Sequence, residues 1–327
     1  MKIDDKDLDN KKEIIKNRFS LKNFNDYIKF PKYFEVETVN ACNAHCKMCS
    51  IEHWEGYQDK NKFKRIMSDD TWSKFVQCIT PYSKWIEKIS LTKLGEPLLD
   101  FKIQDRIKDL KKLNIKNVSI TTNASLLNED ISKKLLDSEL DELNVSIDGL
   151  SKEVYEAIRI GLKHENVYKN TIKFINMRDG GGYHTSIRIR LTQQEQNLHE
   201  IADWTNFWKS KTDKNDKVYT MPLLTWGNRL FSETQSKIEF MSNKACSYLF
   251  SSMSIDYDGR VVLCCSDFNS IFDLGNINEK TINEIWTSKK YEKIREMHLN
   301  NKRNKINICK GCMIWDKSYT SNNTNKK

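Results

Sequence analysis

Alternating polar and apolar positions recur along the first two thirds of the chain, and stretches with helical spacing lie between them. Behind a Ser68 cap, apolar residues recur every three or four positions, which predicts an amphipathic helix over 69–79. Six stretches have the pattern of strands: 33–39, 85–91, 117–122, 142–147, 185–191 and 217–223. This order predicts an α/β fold, a partial (β/α)6 barrel of parallel strands with its chemistry at their C-terminal ends.

The pattern changes after residue 225. Trp226-Gly227-Asn228 marks the exit from the barrel, and 256–259 has the composition of a hairpin turn that leads into a strand over 260–265. A helix follows over 282–298. The chain is therefore expected to comprise a polar, partly helical extension, a barrel, a small hairpin-plus-helix domain and a disordered tail: 1–32, 33–225, 226–315 and 316–327.

Composition narrows the classes of protein that remain. The net charge of +9 comes from 54 Lys and Arg and 45 Asp and Glu that are interleaved along the chain, which indicates a solvated surface rather than a nucleic-acid groove. No run approaches the roughly 18 apolar residues of a membrane span, and the first residues lack a secretory signal, so we expect a cytoplasmic protein without a membrane partner. Nine cysteines in that reducing compartment favour metal binding or catalysis over disulfides.

The first cysteine group supplies three thiolates from one loop. Cys42, Cys46 and Cys49 have the spacing Cys-x3-Cys-x2-Cys directly after the first predicted strand. Iron–sulfur clusters select thiolate ligands, and three thiolates leave one iron of a four-iron cluster open to another ligand. From the spacing alone, a zinc site completed by His45 is the alternative, although zinc sites usually carry two separated pairs of ligands.

A second cysteine group lies in the C-terminal part of the chain. A late Cys-x2-Cys pair and two earlier cysteines fit either one tetrahedral zinc or one iron–sulfur cluster: Cys246, Cys264, Cys309 and Cys312. Because successive side chains on a strand face opposite sides, Cys264 and Cys265 are not expected to reach the same metal. Cys265 and Cys78 are expected to be small packed residues.

Together the two groups resemble the radical S-adenosylmethionine (SAM) superfamily, over roughly residues 33–315. The second group is similar to that family's SPASM/twitch extension in its short twitch form, where the Gly-x4-Cys spacing selects Cys264. The resemblance implies two [4Fe-4S] clusters. The first group would hold a cluster whose open iron chelates SAM, and the second group would hold one auxiliary cluster with no open iron.

The same resemblance assigns residues to a SAM pocket at the strand ends. The segment 94–97, Leu-Gly-Glu-Pro, is similar to the family's Gly-Gly-Glu segment, whose backbone meets the SAM amino group, although Leu94 replaces the first glycine. Ser146 with Arg159 resembles the pair that holds the SAM carboxylate. The implied cofactor-binding residues are Met48 near the adenine, Gly95, Glu96, Pro97, Thr122, Asn123, Ser146, Asp148 and Arg159.

The cysteine layout is most similar to that of the subgroup's dehydrogenases of aminocyclitols. It implies an oxidoreductase that generates a 5'-deoxyadenosyl radical, removes a hydrogen atom from a sugar or cyclitol alcohol and passes an electron to the auxiliary cluster. An external one-electron donor such as flavodoxin or ferredoxin would reduce the first cluster. The alternative is a maturase that oxidises, crosslinks or epimerises a ribosomal peptide, which would bind the +9 surface or residues 1–30. A non-catalytic metal-binding module is a third possibility.

Substrate-contacting residues leave only a weak pattern. Arg188 and Arg190 alternate with aliphatic residues on the fifth predicted strand. If the aliphatic side chains face the helices, both arginines face the barrel interior, where a charge needs a partner or a ligand; on an edge strand they would lie in water. Arg229, just before the second cysteine group, is a third candidate for substrate contact. No pattern identifies a proton acceptor.

Overall fold

The computed structural model describes residues 5–55, 65–227, 229–230, 239 and 241–312. Asn228 at the predicted barrel exit and the predicted tail at 316–327 lie outside the described residues. Within the described part of the chain, no helix has both the length and the apolar character needed to cross a lipid bilayer.

Six parallel strands form the barrel wall in chain order. They are β1 (Tyr33–Val36), β2 (Lys88–Ser90), β3 (Val118–Thr122), β4 (Glu142–Ser146), β5 (Ser186–Gln193) and β6 (Lys217–Pro222). Helix α1 (Asp5–Arg18) precedes them, and the crossovers contain α2 (Asp69–Ile79), α3 (Ile103–Lys112), α4 (Glu129–Asp137), α5 (Lys152–Ile158), α6 (His164–Gly181) and α7 (Ile201–Lys209). Each strand pairs in parallel with the next, which confirms the predicted partial barrel.

Local sequence signals account for these elements. Helix α2 has its predicted bounds, and Ser68 Oγ caps it by accepting a hydrogen bond from Thr71 N at 3.1 Å. On β5, the alternate residues Ile187, Ile189 and Leu191 are completely buried. The intervening arginines therefore face the barrel lumen, and β5 lies between β4 and β6 rather than at an edge.

The C-terminal strands join the same sheet. Strand β7 (Ser252–Ile255) pairs in parallel with β1, with Tyr33 opposite Ser252 and Val36 opposite Ile255. Strands β8 (Arg260–Val262) and β9 (Gly275–Asn276) continue the sheet in antiparallel pairing. The sheet thus has nine strands in the described part of the chain, and the hairpin extends the barrel wall.

Strand β8 is shorter than the predicted strand over 260–265. It ends at Val262 because the chain turns there, and Cys264 O accepts a hydrogen bond from Asp267 N at 2.9 Å. Cys264 and Cys265 therefore lie in a turn, where the alternation of side chains along a strand does not apply.

The helix predicted over 282–298 is two helices. They are α8 (Ile282–Trp286) and α9 (Lys289–Leu299). Ser288 has an extended backbone and caps the second helix, its Oγ accepting a hydrogen bond from Tyr291 N at 3.3 Å. An N-cap in this position ends one helix and starts another, so the single long helix was a wrong prediction.

The N-terminal segment packs against the C-terminal helices. Ile15 on α1 is 1% exposed, and Lys11 Nζ donates a hydrogen bond to Asn301 Oδ1 at 2.5 Å. Further along, Trp286 Nε1 donates to Tyr27 O at 2.7 Å. The segment before β1 thus packs the start of the chain against its C-terminal helices.

Candidate active site

A cavity of about 270 Å³ lies at the C-terminal ends of the barrel strands. Its wall combines the loop after β1, residues at or after the ends of β2 to β6, and one residue beyond β8. The predicted site residues that line it are Cys42, Cys46, Met48, Cys49, Gly95, Glu96, Thr122, Asn123, Ser146, Arg159 and Arg190. The fold therefore brings the first cysteine group and most of the predicted SAM pocket together.

The three thiols of the first group face this cavity from one loop. Burial raises the pKa of all three, that of Cys49 to about 11, so they carry protons at neutral pH unless a metal displaces them. Asn123 Nδ2 lies 4.0 Å from Cys42 Sγ. Arg159 Nη1 lies 3.9 Å from Cys46 Sγ. Such N–H donors stabilise cluster-bound thiolates, so this donor set fits an iron–sulfur cluster.

His45, the proposed fourth ligand of a zinc site, does not line the cavity. Its Nδ1 lies 3.2 Å from Glu52 Oε1, and half of its side chain is exposed. The zinc alternative for the first group thus lacks the ligand on which it depended.

Gly95 allows the predicted Leu-Gly-Glu-Pro segment to lie against the backbone of the cysteine loop. A Cβ at this position would lie 2.1 Å from Val39 O and 2.7 Å from Ala41 O, too close for any side chain. The neighbouring Glu96 N donates to Ala41 O at 2.8 Å. The glycine is therefore required by a backbone-to-backbone contact, whereas Leu94 beside it packs with Ile51 and Phe268 in a small apolar cluster.

Glu96 connects this segment to the end of β3. Its carboxylate accepts hydrogen bonds from Thr122 Oγ1 at 2.6 Å, Asn123 N at 2.8 Å and Leu98 N at 3.2 Å. Burial raises its pKa to about 7, although these hydrogen bonds by themselves lower the pKa. Pro97 begins the short 3-10 turn Pro97–Leu99 and lies outside the cavity wall.

Arg159 and Ser146, the predicted carboxylate-binding pair, each have another protein partner. Arg159 forms a buried ion pair with Asp148, with Nη2 at 2.6 Å and Nε at 2.7 Å from Oδ2. Ser146 Oγ accepts a hydrogen bond from Arg190 Nε at 2.9 Å. Asp148 lies behind the wall and orients Arg159, so the guanidinium that reaches Cys46 is held by a positioning carboxylate.

Trp226 and Lys93 belong to the cavity wall, although no sequence motif assigned either of them to the site. Trp226 Nε1 donates to Met48 O at 2.9 Å and so fixes the cysteine loop. Lys93 Nζ forms an ion pair with Asp256 of the C-terminal hairpin, and only 1% of its side chain is exposed. Asp256 and burial together raise the pKa of Glu37, beside Lys93, to about 7. A buried charge cluster thus joins the barrel cavity to the C-terminal domain.

The four predicted cysteines of the second group come together beyond β8. Burial raises the pKa of Cys264, and the nearby thiols of the group raise it further: Cys309, Cys312 and Cys246, with Cys265 beside them. Cys309 and Cys312 are each 8% exposed. Cys246 N donates to His298 Nδ1 at 3.1 Å, and burial lowers the pKa of that imidazole to about 3, which keeps it neutral. Four close thiols fit an auxiliary cluster with every iron ligated.

Arg303 organises this second group through its backbone. The guanidinium is 4% exposed and donates from Nε to Cys309 O at 2.9 Å and from Nη2 to Cys312 O. Its Nη1 donates to Lys244 O at 3.3 Å, two residues before Cys246. One buried arginine therefore positions three of the four ligand segments, and no sequence motif announces it.

The remaining cysteines and arginines lie in different surroundings. Cys78 is half-buried against the core, as expected, whereas Cys265 lines the barrel cavity instead of packing in the core.

Arg188 lies at the other end of the lumen, where its Nε is 2.5 Å from Glu142 Oε2. The guanidinium of Arg229 lies 4.0 Å from the centre of the Phe268 ring. Of the three arginines proposed for substrate contact, only Arg190 lines the cavity.

Family models match both parts of the chain. The radical SAM superfamily model matches residues 36–202, just over half of the chain. The model of the SPASM iron–sulfur cluster-binding domain matches residues 246–313 and so contains the whole second cysteine group. Together with the cavity, these matches imply a SAM-binding [4Fe-4S] cluster, SAM and auxiliary iron–sulfur ligation.

Individual relatives differ in what they act on. The tungsten-containing aldehyde ferredoxin oxidoreductase cofactor-modifying protein of Pyrococcus furiosus is 23% identical over 303 residues, 80% of this chain and 82% of that protein. BtrN, solved with AdoMet and 2-DOIA, superposes with a TM-score of 0.60 at 19% identity, covering 86% of this chain and 93% of BtrN. Streptococcus suis SuiB, bound to precursor peptide SuiA, superposes with a TM-score of 0.63 at 15% identity, covering 84% and 71%.

These solved structures share the fold at low identity, and BtrN is the 2-deoxy-scyllo-inosamine dehydrogenase that the cysteine layout resembles. The family model rests on more than half of the sequence, and the cysteine loop that it covers lines the cavity where SAM chemistry requires it. The chain therefore belongs to the radical SAM superfamily, and its C-terminal part carries a SPASM domain.

Proposed function

We propose that this radical SAM enzyme is a dehydrogenase that oxidises a secondary alcohol of a sugar or cyclitol to a ketone. The observation that carries the proposal is the second cysteine group, four thiols close together beside Cys265, which itself lines the cavity of the first group. Four thiolates occupy every iron of a [4Fe-4S] cluster. Substrate then has no iron to bind, and the site is suited to accepting an electron.

The polarity of the cavity supports a hydroxyl-rich substrate. Its wall carries hydroxyl groups from several strand ends: Ser90, Thr92, Thr121, Thr122, Ser146 and Thr192. Arg190 adds a buried guanidinium whose Nε is held by Ser146, and burial lowers its pKa. Thr122, Ser146 and Thr92 already bond within the protein, and a ring bearing several hydroxyls could add to these bonds, whereas an apolar ligand would displace water from polar groups without replacing it.

The bound groups supply the radical chemistry, and the chain positions it. SAM and the first cluster, when bound, provide a 5'-deoxyadenosyl radical that can take a hydrogen atom from a carbon, and the auxiliary cluster provides a one-electron acceptor. Asn123 and Arg159 direct N–H groups at the sulfurs of the first group. Trp226 lines the cavity and holds the cysteine loop through its hydrogen bond to Met48 O. An external one-electron donor such as flavodoxin or ferredoxin completes the proposal.

The test uses the anaerobically reconstituted enzyme with SAM, a reductant and 2-deoxy-scyllo-inosamine as the probe. We expect roughly eight irons per chain and one ketone formed for each 5'-deoxyadenosine. Colourless protein that holds zinc would contradict the enzyme itself. Iron-replete enzyme that forms no ketone from this probe or from related aminocyclitols, but modifies a short peptide encoded beside its gene, would favour the peptide maturase, which the likeness of fold to SuiB also supports.

Three cysteine variants separate the two sites. Cys42→Ala removes a ligand of the first group and should abolish 5'-deoxyadenosine. Cys309→Ala removes a ligand of the second group, so SAM cleavage should persist while ketone formation stops. Cys78→Ala is the matched control, since Cys78 lies on α2 away from both groups and should keep iron content and both products unchanged. Ketone formation by Cys309→Ala would contradict the electron-accepting role.

A further inference from the structure

Glu35 lies where two cavities meet inside the barrel. It is on β1, with its side chain on the lumen side, and it lines the upper cavity that holds the first cysteine group. It also lines a second cavity of about 370 Å³ toward the N-terminal ends of the strands. Ser90 and Thr121 likewise line both cavities. Three polar residues of the lumen, Glu35 among them, therefore lie between the two cavities.

Two side chains hold the carboxylate of Glu35 through the same oxygen, Oε2. Tyr248 Oη and Ser254 Oγ both donate to Oε2, each at 2.7 Å. No hydrogen bond from another described residue reaches Oε1. Both donors come from the C-terminal domain, Ser254 on β7 and Tyr248 in the turn after Cys246, so the second domain fixes the orientation of this barrel residue.

Other carboxylates near the cavity are already engaged. Glu96, the second carboxylate in the wall among the described residues, accepts bonds at both oxygens. Glu37 and Asp148 do not line the cavity, and each is bound by neighbouring side chains. The Lys93 ammonium is paired with Asp256, and its pKa is raised, so it is not a base. Glu35 is thus the carboxylate in the described wall with an oxygen available to a ligand.

The surroundings of Glu35 raise its pKa above that of an ordinary glutamate. Burial is the largest influence and raises its pKa, while the bonds from Tyr248 and Ser254 and the charge of Lys93 lower it. Cys265, the other titratable group that faces it from the C-terminal turn, is a protonated thiol with a raised pKa. A general base is most effective when its pKa is close to the working pH.

We propose that Glu35 is the proton acceptor for the substrate hydroxyl, an inference that rests on the proposed alcohol oxidation. After the hydrogen atom has left the carbinol carbon, the O–H bond breaks and its proton passes to Glu35 Oε1. The carbon–oxygen double bond forms as one electron leaves the substrate for the auxiliary [4Fe-4S] cluster. The products are a ketone, a protonated Glu35 and a singly reduced cluster, so atoms and electrons balance.

The lower cavity presents polar groups below Glu35. Asn144 lines it together with an ion group of Lys88, Glu142 and Arg188, in which Glu142 is buried and the two basic side chains are partly exposed. This ion group stands between the lumen and the N-terminal ends of the strands, away from the cysteine loop. Glu142 accepts from Lys88 and Asn144 through Oε1 and from Arg188 through Oε2. The lower cavity thus presents polar groups on the side of Glu35 away from the cysteine loop.

The first test compares Glu35→Gln with the parent enzyme on 2-deoxy-scyllo-inosamine. Glutamine keeps an oxygen for Tyr248 and Ser254 but accepts no proton, so we expect substrate-dependent 5'-deoxyadenosine to continue while ketone formation falls about 100-fold. Glu35→Asp should recover part of the ketone. Glu200→Gln, the same change at a buried carboxylate that accepts from Leu150 N and lines neither cavity, is the control for a general loss of structure and should reduce ketone far less. Ketone formed by Glu35→Gln at the parent rate would overturn the proposal.

The second readout does not depend on turnover. Infrared difference spectra of reconstituted parent enzyme minus Glu35→Gln, taken over a pH series, report the carboxyl C=O stretch of this one group. We expect it to titrate above the ordinary glutamate pKa of 4.5, at a higher pH still in Tyr248→Phe, and to change when the probe binds without SAM or reductant. Titration at the ordinary value, or no response to the probe, would overturn the assignment.

The two proposals fail in different ways. If the parent enzyme forms no ketone from any alcohol tested, the proposed function is wrong. If the parent forms ketone and Glu35→Gln matches it in rate and pH profile, only the assignment of Glu35 is wrong.

Discussion

Arg303→Lys should release the auxiliary cluster while leaving the SAM site intact. Arg303 donates to the backbone carbonyls of Cys309, Cys312 and Lys244 from three different nitrogens. Lysine keeps the charge but places it on one nitrogen, which cannot reproduce the planar fork of a guanidinium. The substitution therefore leaves ligand-segment carbonyls without a donor in a buried site.

The magnitude follows from the number of bonds lost. Each buried carbonyl left without a donor costs about 1–3 kcal/mol. Because the lysine side chain has one nitrogen in place of the three that Arg303 uses, one or two of the three bonds are lost. Part of this cost lowers the folding stability of the protein whether or not the cluster is bound. Because changes around metal ligands typically weaken binding by about 10–100-fold, we expect the auxiliary cluster to be held more weakly by that factor.

The assay is iron retention during a chelator challenge under anaerobic conditions. Arg303→Lys should fall from roughly eight irons per chain to roughly four and keep 5'-deoxyadenosine formation. Arg178→Lys is the matched control, because Arg178 is 4% exposed like Arg303 and also donates to a backbone carbonyl, that of Thr185, in the barrel away from the second cysteine group. Both variants should lose folding stability, but only Arg303→Lys should lose iron. Equal iron retention in the two would refute the positioning role.

Three further changes have expected outcomes. Gly95→Ala should prevent iron loading of the first group, scored by iron content and 5'-deoxyadenosine, whereas Gly180→Ala, with no atom within 4 Å of its added Cβ, should load normally. Asp148→Asn breaks the buried pair with Arg159 and should lower the free energy of unfolding by about 3–5 kcal/mol in urea titrations; a loss within error would contradict this. Glu37 has its folded pKa raised from 4.5 to about 7, so its stabilisation is present below about pH 4.5 and is lost as the pH rises to 7. Glu37→Gln should therefore flatten the fall of unfolding free energy across that window, and an unchanged slope would contradict it.

Local patterns predicted much of the barrel because its signals are local. Helix α2 has both its cap and its apolar face within eleven residues, and the alternation on β5 is visible without any partner. The first cysteine group is likewise contained in one loop, and its spacing alone limits the metal it can hold. Such features do not depend on which distant segment packs against them.

What the sequence could not predict depends on distant partners. Arg303 acts on carbonyls, which every residue has, so no residue type marks its role. Lys93 lies beside a recognisable motif, but its partner Asp256 follows it by well over a hundred residues. Arg188 and Arg190 share one face of β5, yet they differ in depth along the lumen. Alternation gives the face of a strand and not the end at which a residue lies.

The pairing of β1 with β7 has a consequence for how the chain folds as it is synthesised. Strand β1 needs a partner that is made more than two hundred residues later, so one edge of the barrel stays open until the C-terminal hairpin has emerged. Contacts between such distant segments slow folding, and an open edge strand invites pairing with other chains. A truncation at residue 225, at the predicted end of the barrel, should therefore aggregate during expression, because the C-terminal part of the chain, which carries the second cysteine group, also closes the edge of the barrel that holds the first.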